Sequence, residues 1–173
     1  MYKRQANTGG IKLGTKFCLD QTRPGIGLYG IDSYGQNIRL LSKDLILPFE
    51  LHAPIIQIRN VNINQPISYN GIEKTKRKST LATIGIGYAD GWIRLLKPNS
   101  HFWLYKKRCN ILGNITMDSF VLDITDIKDK VFTEGDYFCL LDNSNISSII
   151  NNSELISYEL LTLLGSRLVR DYN

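Results

Sequence analysis

Residues Thr83–Trp92 read TIGIGYADGW. Ile84, Ile86 and Tyr88 alternate with smaller residues in the period-2 pattern of a half-buried strand, and Asp90-Gly91 is a turn signal. The stretch predicts a strand that runs into a tight turn and offers a tyrosine hydroxyl there. The pattern recurs outward from it. Ile56 and Ile58 alternate with Gln57 and Arg59 in FELHAPIIQIRNVNI, and further strands are predicted at 81–87, 102–106, 109–115, 119–124 and 136–142. DGW, YKKR, TDIKDKVFTEGD and DNSN separate them with turn chemistry. From about residue 46 the chain therefore predicts a mainly β fold, a small barrel or sandwich. One late helix is predicted, with Ser153 as N-cap, an apolar stripe of Leu155, Ile156, Leu160, Leu161 and Leu164, and Gly165 as its stop. A last strand, RLVRDY, is predicted to return to the sheet.

The first 45 residues read differently. ANTGG is a small, glycine-containing loop, IKLGTKFCLD a connecting segment, and Arg23-Pro24-Gly25 a breaker. Ile26 to Ile31 predicts a short buried strand with its exit loop. This order resembles one piece of a repeating β/α architecture, which cannot cover its own faces alone. Its apolar side, including Ile26, Leu28 and Ile31, is expected to be exposed or badly covered, and residues 1–45 to be more protease-sensitive than 46–173.

The 173 residues fit one domain of ordinary size, and 43% hydrophobic content is enough for a core. No apolar run is long enough to span a membrane, and MYKRQANTGGIKLG lacks a signal-peptide core. Cys18, Cys109 and Cys139 are odd in number and far apart, the pattern of reduced thiols in a cytosolic protein. With His52 and His101 as the only histidines, no metal site is expected. The net charge of +5 concentrates in EKTKRKS and YKKR. Both runs lie between strands, where lysines coat hairpin ends, and no aromatic platform accompanies them, so no nucleic-acid binding is expected.

Several residues suit an anionic cofactor. Thr8 offers a hydroxyl in a Gly-rich loop, the amides of Gly25 and Ile26 follow a breaker, and Tyr158 adds a phenol. Hydroxyls and amides converging at the end of a β/α unit are how many barrel enzymes hold a phosphate. Read alone, Thr8 is first a helix cap and Gly25 a turn. Arg23 is a surface charge or a guanidinium aimed at a planar acceptor. Tyr69 and Tyr88 are strand aromatics or hydroxyls placed for proton transfer, and Met117 reads first as core packing.

ANTGG, RPGIGLYG, SYNG, GYADGW-R, GNITMDSFVLDIT, EGDYFCLL and ISYELLTLLGSRLVRDY occur in the order and spacing of bacterial alanine racemases. The sequence resembles the C-terminal half of that family over essentially its whole length. The resemblance implies a remnant of a (β/α)₈ barrel over 1–45 and the family's C-terminal β-domain over 46–173. It implies pyridoxal 5′-phosphate as cofactor, with Thr8, Gly25, Ile26 and Tyr158 at its phosphate and Arg23 at its pyridine nitrogen. Tyr69 becomes the catalytic tyrosine that exchanges the α-proton on one face of alanine. Met117 offers its amide to the substrate carboxylate, and Tyr88 and Arg94 line the entry channel. The implied activity is interconversion of L- and D-alanine for cell-wall peptidoglycan, by a cytoplasmic head-to-tail homodimer in which Tyr69, Tyr88, Arg94 and Met117 act in trans. Racemisation needs one base for each face of the α-carbon, and a tyrosine of ordinary pKa near ~10 must be activated by its surroundings.

The family's Schiff-base lysine, from a KANAYG-like motif, has no counterpart among the 173 residues. Arg4 stands where a histidine usually supports the tyrosine, Asn70 where glycine is usual, and Asn114 where arginine is common. Three expectations follow: a half-enzyme completed by a separately encoded N-terminal half, a truncated and inactive racemase remnant, or a β-domain serving as a binding module.

Overall fold

The structure, a computed structural model, describes residues 5–18, 20–31, 45–71, 73–96, 101–105, 107–151 and 155–172. A six-stranded antiparallel sheet dominates it. Its strands are β3 (Leu51–Val61), β6 (Ser79–Ile84), β7 (His101–Leu104), β8 (Lys107–Leu112), β9 (Phe120–Asp123) and β10 (Tyr137–Leu141), in the order β10-β3-β6-β9-β8-β7. Register shifts in β3 between Ile55 and Gln57 and in β10 between Cys139 and Leu141 mark bulges, which bend strands and increase their twist. The result is a barrel-like curl. Phe102 on one edge strand meets Phe138 on the other, edge to face at 5.3 Å. Trp92 and Phe120 stack into the same interior, at 6.1 Å and 6.1 Å from Phe102 respectively. Ala82, Ile84 and Leu122 join this core, and the mainly β expectation stands.

The lesser elements are β1 (Gln5–Ala6) with β2 (Gln21–Thr22), β4 (Pro66–Ile67) with β5 (Glu73–Lys74), and the helices α1 (Thr8–Lys12), α2 (Ile146–Asn151) and α3 (Ser157–Leu163). β1 and β2 pair in parallel, which requires a crossover rather than a hairpin.

Five expectations are corrected. Residues Ile26–Tyr29 form a 3₁₀ turn instead of a strand, ended by left-handed Gly30. Ile26 and Ile31 are not exposed: both join the sheet core, and only Leu28 faces solvent. The strand holding TIGI ends at Ile84, so Tyr88 lies on a turn and not on the strand. The late helix begins at Ser157. Its amino end is closed by Glu159, whose carboxylate accepts the Ile156 N–H at 2.9 Å; Leu155 is buried ahead of the helix and Ile156 is exposed. Ser153 lies outside the described residues. RLVRDY forms no strand: Arg170 donates to the carbonyls of Leu164 and Gly165 and ties the segment back to the end of α3.

Candidate active site

The GYADGW turn is built by backbone geometry. Asp90 is nearly buried, and its Oδ2 accepts the Gly87 N–H at 2.9 Å, closing a 3₁₀ turn over Tyr88–Asp90. Gly91, at φ 100°, provides the left-handed exit that a side chain would disfavour. The turn then docks on the 116–119 loop: Tyr88 N–H donates to the Thr116 carbonyl and Ala89 N–H to the Met117 carbonyl, both at 3.0 Å. A Cβ on Gly87 would stand 2.3 Å from the Thr116 oxygen, so only glycine permits this approach. In a trans peptide the carbonyl and the next N–H point in opposite directions. The Met117 N–H is therefore turned away from the Tyr88 turn. Arg94 donates from Nε to the Ile115 carbonyl at 3.2 Å and lays its guanidinium 5.5 Å from the centre of the Tyr88 ring. Tyr88 and Arg94 thus form one cation–π unit.

Tyr69 projects from a separate turn at residues 69–71 and is 76% exposed. Ser68, Asn70 and Gly71 around it all have positive φ, and Asn70 lies at φ 62°, ψ 7°. Asparagine is among the few residues that tolerate that region. The departure from glycine at position 70 is therefore conformationally conservative. Two staples hold the turn: Asn114 N–H donates to Ser68 Oγ at 3.3 Å, and Gly113 N–H to the Glu73 carboxylate at 2.7 Å. Residues 113 and 114 run straight into Ile115–Met117, so the Tyr69 turn and the Tyr88 turn are fixed to the two ends of one loop. Asn114 serves here through its backbone, which any residue supplies.

The amino-terminal donors form a second group. Asn7 caps α1, its side chain accepting the Gly10 N–H at 3.0 Å, and Thr8 is the first helical residue. Buried Thr8 Oγ1 accepts N–H groups from Gly25 and Gly27, each at 3.1 Å. With two amides on its oxygen, the Thr8 hydroxyl keeps its proton for an outside acceptor. A Cβ on Gly27 would come 2.8 Å from Thr8 Cγ2, so the cradle closes only around glycine. The Gly25 amide is directed onto Thr8. The Ile26 N–H opens the 3₁₀ turn and has no acceptor within it. Arg23 is exposed with its backbone N–H on the Ala6 carbonyl at 2.7 Å, and Tyr158 presents a half-exposed phenol from the first turn of α3. The Thr8 hydroxyl and the Ile26 amide, brought together through the Gly25–Gly27 turn, are donors of the kind that fit a phosphate. Arg4 lies outside the described residues.

Sequence reasoning missed Arg167. Its Nε stands 3.2 Å from Asp90 and its Nη2 2.7 Å from Asp118. It bolts the carboxyl-terminal segment to the two loops that carry Tyr88 and Met117. Nothing local announced this, because the three residues are far apart in the chain.

An antiparallel barrel-like sheet thus presents two phenols and a guanidinium on turns joined through one loop. The comparisons give the family. Residues 48–172 match the model of the alanine racemase C-terminal domain, and the chain belongs to the alanine racemase family. It is 36% identical to the alanine racemase of Rickettsia rickettsii over 171 residues, covering 96% of this chain and 44% of that protein. Identity to the Brucella ovis alanine racemase is 34%, over 96% of this chain and 45% of that one. Among solved structures, the Bartonella henselae alanine racemase with covalently bound pyridoxal phosphate matches at TM-score 0.79 and 36% identity, over 97% of this chain and 46% of that one. The Clostridium difficile 630 alanine racemase in complex with cycloserine matches at TM-score 0.80 and 28% identity, over 94% and 43%. The chain thus spans less than half the length of the relatives it matches. No helix among the described residues is long and apolar enough to cross a membrane.

Proposed function

We propose that this chain supplies the tyrosine side of alanine racemisation, interconverting L- and D-alanine for cell-wall synthesis in the cytoplasm. The observation that carries the proposal is the single 113–117 loop that fixes the Tyr69 turn at one end and the Tyr88–Arg94 unit at the other. Such anchoring supports a site in which a phenol must be held against a small substrate. Pyridoxal 5′-phosphate, when bound, withdraws electrons from the α-carbon and makes its proton removable.

Each residue then has a defined task. Thr8 donates its hydroxyl proton to the cofactor phosphate, and the Ile26 amide and the Tyr158 phenol supply further donors. The Gly25 amide acts on that phosphate through Thr8, by keeping the hydroxyl a donor. Arg23, whose guanidinium does not give up its proton, faces the pyridine nitrogen. Tyr69 Oη exchanges a proton with one face of the α-carbon, Met117 N–H holds the substrate carboxylate, and Tyr88 with Arg94 narrows the entrance. The opposite face needs a second base, the family's lysine, which these 173 residues do not contain. In this reading residues 1–45 belong to the cofactor barrel and 46–173 to the β-domain. Tyr69, Tyr88, Arg94 and Met117 serve the site of a second subunit, in a homodimer or with a separately encoded N-terminal half.

The test measures alanine racemisation with pyridoxal phosphate, by this chain alone and mixed with an N-terminal half of a related racemase. Activity in the mixture that Tyr69→Phe abolishes supports the reading. Demonstrated association without racemisation overturns it and leaves a non-catalytic domain.

A further inference from the structure

We propose that Glu50, His52 and Cys139 form a site for one dication of the zinc type, on the seam between β3 and β10. This does not depend on the racemase reading. One donor atom from each of the three residues lies within 4.8 Å of the others. The sheet itself sets the grouping. His52 and Cys139 are directly opposed across the antiparallel pair, which places their Cβ atoms on one face at about 5 Å. Glu50 precedes His52 by two residues and so lies on the same face. Spacing along the chain hides the set, because cysteine patterns are searched locally and this one is closed by strand pairing.

The chemistry selects the ion. Thiolate, imidazole and carboxylate together suit zinc or cobalt, whereas magnesium and calcium prefer oxygen alone. Tetrahedral bonds of about 2.0–2.3 Å put donors about 3.3–3.8 Å apart, so the cluster needs only small side-chain adjustments. Glu50 and His52 are exposed and can make them, and water completes the fourth position. Two negative donors neutralise the dication.

Binding has a proton balance. His52 Nε2 now sits 2.8 Å from Glu50 Oε2. The cation takes the Nε2 lone pair, the imidazole proton moves to Nδ1, and the Cys139 thiol releases its proton to solvent. Asp142 is held nearby: its Oδ1 accepts from Ser144 and Asn145, and its Oδ2 lies 3.8 Å from Cys139 Sγ.

The experiment is a titration of the reduced, chelator-treated chain with cobalt(II). One equivalent should produce near-ultraviolet thiolate-to-cobalt absorption with visible ligand-field bands, and zinc should bleach both. Cys139→Ser should remove the charge-transfer band and His52→Ala should weaken binding at least about tenfold. The double variant Cys18→Ser, Cys109→Ser should keep the band. No band in the unsubstituted chain, or a band that survives Cys139→Ser, overturns the proposal. Should Cys139→Ser fail to fold, alkylation of Cys139 in the unsubstituted chain decides. Zinc but not magnesium should slow it, and equal rates overturn the site.

Discussion

The two groups of functional residues are held in opposite ways. Among the described residues from 45 onward, Tyr69, Tyr88 and Met117 stand on turns and loops locked to one another through backbone and side-chain hydrogen bonds, beside a shared aromatic core. Over 5–31 the donors rest on two-residue strands and a five-residue helix, tied by two amides to one hydroxyl. A long antiparallel sheet pre-forms its own turn end. A short parallel pair does not, and borrows its rigidity from Ile26 and Ile31, which reach into the core of the other region. The amino-terminal segment is therefore neither independent nor self-sufficient.

The largest expected effect tests the shared core. Phe120→Ala removes a ring stacked on both Trp92 and Phe102, and should cost about 3–5 kcal/mol in urea unfolding. Ile31→Ala should lower the same transition by about 2–5 kcal/mol. An unchanged midpoint in Ile31→Ala would show that residues 5–31 fold apart from the sheet. Limited trypsinolysis probes the amino-terminal segment directly. Exposed Lys12 and Lys16 should be cut before any site in 46–173, because local opening of so small an element costs little. Equal resistance would mean that the segment opens only when the sheet does.

The strands of the sheet were legible because alternation and turn residues agree there. Asp90-Gly91 was legible as a turn for the same reason. Ile26–Ile31 was misread because its apolar residues fit a strand, whereas Gly27 must pass close to Thr8 and the chain curls into a 3₁₀ turn to do so. RLVRDY was misread because its arginines look like solvent-facing strand positions. Arg167 and Arg170 instead spend their donors on Asp90, Asp118 and two free carbonyls. Tyr69, Tyr88, Arg94 and Met117 could be nominated from the family's motifs, but the 113–117 loop that joins them is a tertiary feature.

Gly87→Ala comes next in size. The added methyl collides with two carbonyls of the 116–119 loop and should cost about 1–3 kcal/mol. It should also spread the Tyr88 turn from Met117, read as shifted amide resonances at Ala89 and Asp118 with those of Thr8 and Gly27 unmoved. Shifts reaching Thr8 would mean that the two regions are more tightly coupled than their contacts indicate. Asn70→Ala should cost about 1 kcal/mol through the left-handed backbone, while Asn70→Gly should be close to neutral. A neutral Asn70→Ala would show that the Tyr69 turn is not held in the left-handed region in solution.

The smallest effect is electrostatic and confined to the sheet. Arg77 reaches both oxygens of Asp126, at 2.9 and 2.6 Å, joining the approach to β6 with the exit from β9. This pairing, chiefly the hydrogen bond from Arg77, holds the Asp126 carboxyl below its usual range. A carboxyl depressed in the folded state adds stability that is present above its unfolded value, about pH 4, and lost as pH falls through the folded one. Both side chains are exposed, so screening limits the contribution to under about 1 kcal/mol. Arg77→Ala should therefore lower stability slightly at pH 7, and the difference should close on acidification below about pH 4. Raised salt should shrink it as well. Trypsin cutting at Lys12 and Lys16 should not change, because the pair lies in the region that supports the amino-terminal segment only through its core. If Arg77→Ala accelerated that cutting, the surface of the sheet, and not its interior alone, would be holding residues 5–31 in place.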